Sequence, residues 1–102
     1  MVSCNVYLCD TKNLNVEGVI SFENAVEVMQ AGIKFINQSK VIDINLSNLK
    51  HSDSSGLAVI SSWVRYANKH NKILTISAVP KFLLDLSKVS NLEEIFPAAT
   101  KS

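Results

Sequence analysis

Glycine and proline are scarce in this chain, three and two among 102 residues, and no stretch is rich enough in Gly, Pro or Ser to serve as a linker. The expectation is one domain over 1–102, without internal repeats. Gly18, Gly32 and Gly56 lie too far apart to write either GxxxxGK[ST] or GxGxxG, so the backbone cradles that hold nucleotide phosphates are excluded. Charge of one sign is missing as well. Ten Lys and Arg against nine Asp and Glu leave a net +1, too little to hold nucleic acid or an anionic bilayer by counterion release. No apolar run reaches the roughly 18 residues of a membrane span. The N-terminal segment has no basic start followed by an apolar stretch and a cleavage site, so the expected compartment is the cytosol.

Cysteine is limited to Cys4 and Cys9. They stand an odd number of residues apart, which along a strand sends the two thiols to opposite faces and strains any mutual bridge. There is no CxxC spacing, and His51 and His70 are remote, so no metal site is expected. Buried or half-buried free thiols suit a reducing compartment.

What the chain does have is apolar patterning: 47% of its residues are hydrophobic and 19% charged, the balance of a small globular domain. Val2, Cys4, Val6 and Leu8 alternate with polar partners and read as a strand, a turn follows over Asp10–Asn13, and Leu14–Val19 reads as a second strand closing a hairpin. From Ser21, the expected N-cap, the period changes. Phe22, Ala25, Val26, Met29, Gly32, Ile33 and Ile36 fall on one helical face, taken here as the inward one, and Glu23 suits the positive end of the dipole. Val41–Leu46 reads as a strand, Ser47 and Asn48 open a polar loop, and a helix follows from about Ser54 to Asn71, with Lys69 and His70 at its carbonyl end. The apolar run Ile73–Val79 predicts an inner parallel strand covered on both sides. Pro80 opens a third helix bearing Phe82, Leu83, Leu84 and Leu86, and a short apolar segment, Leu92–Phe96, stops at Pro97. The order β-β-α-β-α-β-α plus a short final element predicts an α/β domain, a mostly parallel sheet opened by an N-terminal hairpin with helices packed on it.

Little in the chain suggests catalysis. His51, Asp53 and Ser54 invite comparison with a nucleophile triad, yet four consecutive positions at a helix entrance cannot easily place a base against the nucleophile with an acid behind it. Glu93 and Glu94 are adjacent and read as a solvated turn. No catalytic residue, metal or cofactor is expected. The one motif with a functional reading is Asp53-Ser54-Ser55-Gly56, where a loop hands over to a helix whose first N–H groups can be capped by Asp53 or a serine. At about 100° per residue, Leu57, Ile60, Trp63, Val64 and Ala67 form an inward arc. Ser54, Ala58, Ser61 and Arg65 recur on the other side. Such a flank of small side chains ending in an arginine suits close approach by another polypeptide, although small residues on an exposed helix are also common without function. Trp63 reads as structural, and Tyr66 lies at the margin of the inward arc.

Taken together, Ile42-Asp43-Ile44-Asn45-Leu46-Ser47 followed by Asp53-Ser54-Ser55-Gly56-Leu57-Ala58 resembles the strand, loop and helix signature Asp-[Ser/Thr]-x-Gly of the STAS domains. The resemblance continues through Trp63-Val64-Arg65, Ala67, Ala78-Val79-Pro80, the run from Leu86 to Leu92 and the ending Ile95-Phe96-Pro97. It points to the branch whose members are small cytoplasmic subunits of bacterial phospholipid-transport ABC complexes. Neither the membrane spans of STAS-bearing anion transporters nor the extra N-terminal domain of stressosome subunits is expected here.

The resemblance implies a non-enzymatic binding subunit that docks on the ATPase of such a complex, peripheral to the inner membrane, in the upkeep of outer-membrane lipid asymmetry. It makes Ser54 the position matching the family's phosphoacceptor, and Asp53, Ser54, Ser55, Gly56, Ala58, Ser61 and Arg65 the expected partner-binding set. The alternative it implies is an anti-sigma-factor antagonist regulated by serine phosphorylation, with a serine-kinase anti-sigma factor as partner.

Overall fold

Alternation alone builds the opening hairpin. In a computed structural model, which describes residues 3–10 and 12–89, β1 (Cys4–Leu8) and β2 (Asn13–Ile20) pair antiparallel from Cys4 opposite Gly18 to Leu8 opposite Leu14. Asp10 organises the turn. Its Oδ1 accepts the backbone N–H of Lys12 at 2.8 Å and of Asn13 at 2.9 Å, and these bonds hold its carboxyl below the usual carboxylate range.

On its other edge the long strand β2 serves two partners in succession. Its first half pairs parallel with β3 (Val41–Asn45) and its second half parallel with β4 (Leu49–Ser52). Gly18 sits at the changeover, where the register shifts. It holds φ at +110°, and a Cβ there would press on the Ser3 carbonyl. Its N–H donates to the Asn48 carbonyl at 3.1 Å. β5 (Ile73–Ser77) pairs parallel with β3, giving the order β1-β2-β3-β5 with β4 beside β2.

Two expectations are corrected here. The stretch after Ser47 and Asn48 is not all loop: Leu49–Ser52 is a strand, although it carries one apolar residue, because β2 extends past the end of β3 and offers it a ladder. β5 is not an inner strand. It pairs only with β3 among the described residues, and its faces differ, Leu74 and Ile76 turning inward while Ile73 is 62% exposed. The inner strands are β2 and β3.

The apolar faces are in register. Leu14 lies opposite Ile44, and Ile44 opposite Ile76, and all three are buried with Val16 and Ile42. The other face of the sheet is polar. There the Asp43 carboxylate accepts the hydroxyls of Thr75 and Ser77, each at 2.7 Å. Three helices complete the described fold: α1 (Ala25–Asn37), α2 (Ser54–Lys69) and α3 (Lys81–Val89), with α2 packed between the other two.

The junction of α1 with α2 is close. A Cβ at Gly32 would overlap the indole of the fully buried Trp63, whose Nε1–H donates to the Met29 carbonyl at 2.9 Å. The start of α1 differs from expectation. Its N-cap position is Asn24 rather than Ser21, so Glu23 precedes the helix and Glu27 supplies the first-turn acid. Its buried line is Val28, Gly32 and Ile36. Val26 points about 160° round the helix from Val28, and Phe22 lies in the preceding turn; both are exposed rather than inward.

Cys4 and Cys9 are free thiols. Cys4 is half-buried, and burial, aided by the charge of Glu17, pushes its pKa up to about 11, so it is no ready nucleophile. Cys9 is exposed rather than buried or half-buried and accepts the Asn15 amide. Pro80 offers its carbonyl to the Leu83 and Leu84 N–H groups at the head of α3. The expected element Leu92–Phe96, which contains Glu93 and Glu94 and stands between Asn91 and Pro97, lies outside the described residues.

Candidate functional site

Asp53 begins the site. Its backbone is extended, at φ −87° and ψ −169°, which points the carboxylate back over the first turn of α2, and Oδ1 accepts the Ser55 N–H at 2.8 Å. Its carbonyl accepts the Gly56 N–H at 3.0 Å and the Ser52 hydroxyl at 2.8 Å. The second carboxylate oxygen reaches across the chain, with Oδ2 accepting the backbone N–H of Phe22 at 3.1 Å. Desolvation works against the charge on Asp53. The donors from Ser55 and Phe22, helped by the charge of His51, outweigh it and hold the carboxyl below the usual carboxylate range.

Gly56 is where the helix meets the sheet. A Cβ there would run into the Ser52 hydroxyl, with the Ile20 side chain 3.9 Å away. The glycine thus lets α2 sit down on the end of β4, and the Asp53 cap follows directly. With the cap supplied by Asp53, the Ser54 side chain caps nothing: it is exposed and makes no hydrogen bond among the described residues. Its hydroxyl stands at the positive end of a sixteen-residue helix.

A family model described as "Mlab, STAS domain" matches residues 9–97. The chain belongs to this STAS family. Over 54 residues this STAS domain is 35% identical to "Intermembrane phospholipid transport system binding protein MlaB" of Haemophilus influenzae, a match covering 53% of this chain and 51% of that protein. The chain therefore matches about half the length of its curated relative. Its fold is similar to the crystal structure of an anti-sigma factor antagonist from Mycobacterium paratuberculosis, with a TM-score of 0.75 at 18% identity over 99% of this chain and 87% of that one. It is similar also to SpoIIAA, an anti-sigma factor antagonist, in its unphosphorylated form, with a TM-score of 0.69 at 14% identity over 97% and 90% of the two chains. At such identities these likenesses speak for the STAS fold alone.

Within the STAS domain, most of the sequence-predicted set comes together around the start and outer face of α2. Ser54, Ala58 and Arg65 are exposed, Asp53 and Ser55 are half-buried, and Gly56 is buried as the seat of the turn. Ser61 is a correction. It is only 7% exposed and cannot belong to an open contact stripe. Ser61 lies about 40° from Leu57 round the helix, and the buried arc is wider than one amphipathic stripe because α2 is flanked by both α1 and α3. The side chain that continues the outer face is Ser62, whose hydroxyl donates to the Ala58 carbonyl at 2.9 Å.

The triad suggested by His51, Asp53 and Ser54 is not assembled. The Asp53 carboxylate is taken by backbone donors, and the His51 ring lies 5.7 Å from that of Phe82. No group of three His, Cys, Asp or Glu among the described residues could hold a metal ion, and no described helix is long and apolar enough to cross a membrane. Tyr66 donates its hydroxyl to Asn37 Oδ1 at 3.0 Å, tying α2 to the end of α1.

Sequence reasoning missed Phe22, 83% exposed in the turn whose N–H meets the Asp53 cap, and Val26, 61% exposed in the first turn of α1. The signal that could have found Phe22 is Asn24. Placing the N-cap there leaves Phe22 in the turn before the helix and outside its amphipathic register.

Proposed function

We propose that this chain is a non-catalytic STAS subunit that docks on the ATPase subunit of a phospholipid-transporting, Mla-type ABC complex and modulates its turnover. It would act at the cytoplasmic side of the inner membrane and serve outer-membrane lipid asymmetry. The observation that carries this reading is the start of α2 in an MlaB-type chain. There a bare hydroxyl, Ser54, heads a face of small side chains through Ala58 to Arg65, while the capping and seating are left to Asp53 and Gly56. Such a face lets another backbone come close, and binding that favours one arrangement of the ATPase shifts its conformational equilibrium.

The experiment is a titration of the purified chain against the cognate ABC ATPase subunit, with wild type and Ser54→Asp. Because the Ser54 hydroxyl makes no hydrogen bond among the described residues, the substitution should leave the circular dichroism spectrum and melting temperature nearly unchanged. It should weaken docking by at least about tenfold, since a buried interfacial hydroxyl becomes a charge. A wild-type chain that fails to bind the ATPase sinks the reading.

The free Ser54 hydroxyl also supports a second reading, an anti-sigma-factor antagonist switched by phosphorylation. A phosphate there would sit at the positive end of α2 without disturbing the cap, and its effect would fall on docking to a serine-kinase anti-sigma factor. Binding to such a kinase instead of the ATPase would favour it.

A further inference from the structure

The turn before α1 is fully hydrogen-bonded, yet it holds its largest side chain out in solvent. The Ser21 N–H donates to Asn24 Oδ1 at 2.9 Å, the Phe22 N–H to Asp53 Oδ2 at 3.1 Å, the Glu23 N–H to Ser21 Oγ at 3.2 Å and the Asn24 N–H to the Ser21 carbonyl at 3.1 Å. The Asn24 amide also donates to the Val19 carbonyl at 2.9 Å. Every backbone donor of the turn is thus occupied, and the turn is fastened both to β2 and to the cap of α2. Phe22 is nevertheless 83% exposed, and Val26, in the first turn of α1, is 61% exposed. Among the described residues neither side chain belongs to the core or to the apolar shell packed against it.

We infer that Phe22, supported by Val26, is the apolar anchor of the docking surface. The partner contact then spans two elements, the start of α2 and the turn before α1, joined by the two oxygens of Asp53. The inference rests on the reading above, and its occupant is the ATPase subunit of the ABC complex. The surface is continuous with the α2 face through the Asp53–Phe22 bond. The backbone that carries Phe22 is already ordered by hydrogen bonds and loses little freedom on binding, and large aromatic side chains are among those that dominate interface energies. Exposed Glu23 and Glu27 flank the anchor, whereas exposed Arg65 and Lys69 lie further along α2. The matching patch on the ATPase is accordingly an apolar pocket with basic residues at its rim and acidic ones towards the far end of α2. Asp53 is a positioning residue: one carboxylate oxygen caps the helix and the other holds the Phe22 backbone N–H.

The test measures affinity for the purified cognate ATPase subunit alongside the melting temperature of each variant. Phe22→Ala should weaken binding about 30-fold or more, the range of an interface hot spot, with an unchanged melting temperature. Phe22→Trp should restore most of the affinity, and Val26→Ser should weaken it by a smaller factor in the same direction. Asp53→Asn keeps only one acceptor oxygen for two donors, so it should weaken binding more than it lowers the melting temperature. Should Phe22→Ala and Val26→Ser both bind within about twofold of wild type, the anchor is overturned while docking through α2 stands. If wild type does not bind the ATPase at all, the docking reading and the anchor fall together.

Discussion

The two ends of α2 are fixed in opposite ways. At its start the helix is held by a carboxylate and a glycine seat, through bonds that use backbone groups and leave Ser54, Ala58 and Phe22 bare. Past its middle it is held by an indole lodged against Gly32, with Met29 and Asn37 of α1 accepting hydrogen bonds from Trp63 and Tyr66. The first arrangement lets surface chemistry change without touching the fold. In the second, side chains are the fastening, so almost any change is felt by the core. A domain that presents a modifiable or dockable face needs the two kept apart along one helix.

The sharpest way to break the comparison is at the indole. Trp63→Ala should cost about 3–5 kcal/mol and Gly32→Ala about 1–3 kcal/mol, through overpacking against the ring. Urea denaturation followed by circular dichroism measures both, and a Gly32→Ala variant as stable as wild type would show that the helices part readily.

At the other end, Gly56→Ala should cost about 1 kcal/mol or more, because the new methyl displaces the Ser52 hydroxyl. The double variant Ser52→Ala with Gly56→Ala should recover part of that loss, since the hydroxyl is the nearest obstacle. Additive losses in the double-mutant cycle would place the strain elsewhere.

The smallest expected effect is at Asp53. Asp53→Ala should cost about 1 kcal/mol as a lost cap. Because the folded carboxyl lies below its unfolded value of about 4, its contribution is complete above that pH. It is lost as pH falls through the lowered folded value. Melting temperatures of wild type and Asp53→Ala should therefore converge in acid, and a gap that persists unchanged to low pH would mean the carboxylate charge contributes nothing.

Much of this was legible in the residues. Alternation found the hairpin, branched runs found β3 and β5, and the placement of Asp53 before an amphipathic stretch located the start of α2, the heart of the candidate site. β4 was not legible, because a strand with one apolar residue exists only where a neighbour supplies its ladder. Nor was the burial of Ser61, because polarity alone says nothing of a second flanking helix.

By itself the sequence determined the described helices and every described strand but β4, since periodicity is a local property carried by consecutive side chains. Tertiary structure alone decided how wide each buried arc is, which strand lies at the edge, and that Phe22 faces solvent in a turn tied to the Asp53 cap. Those outcomes depend on which elements meet in space, and the bond that joins the Phe22 turn to the α2 cap spans 31 residues.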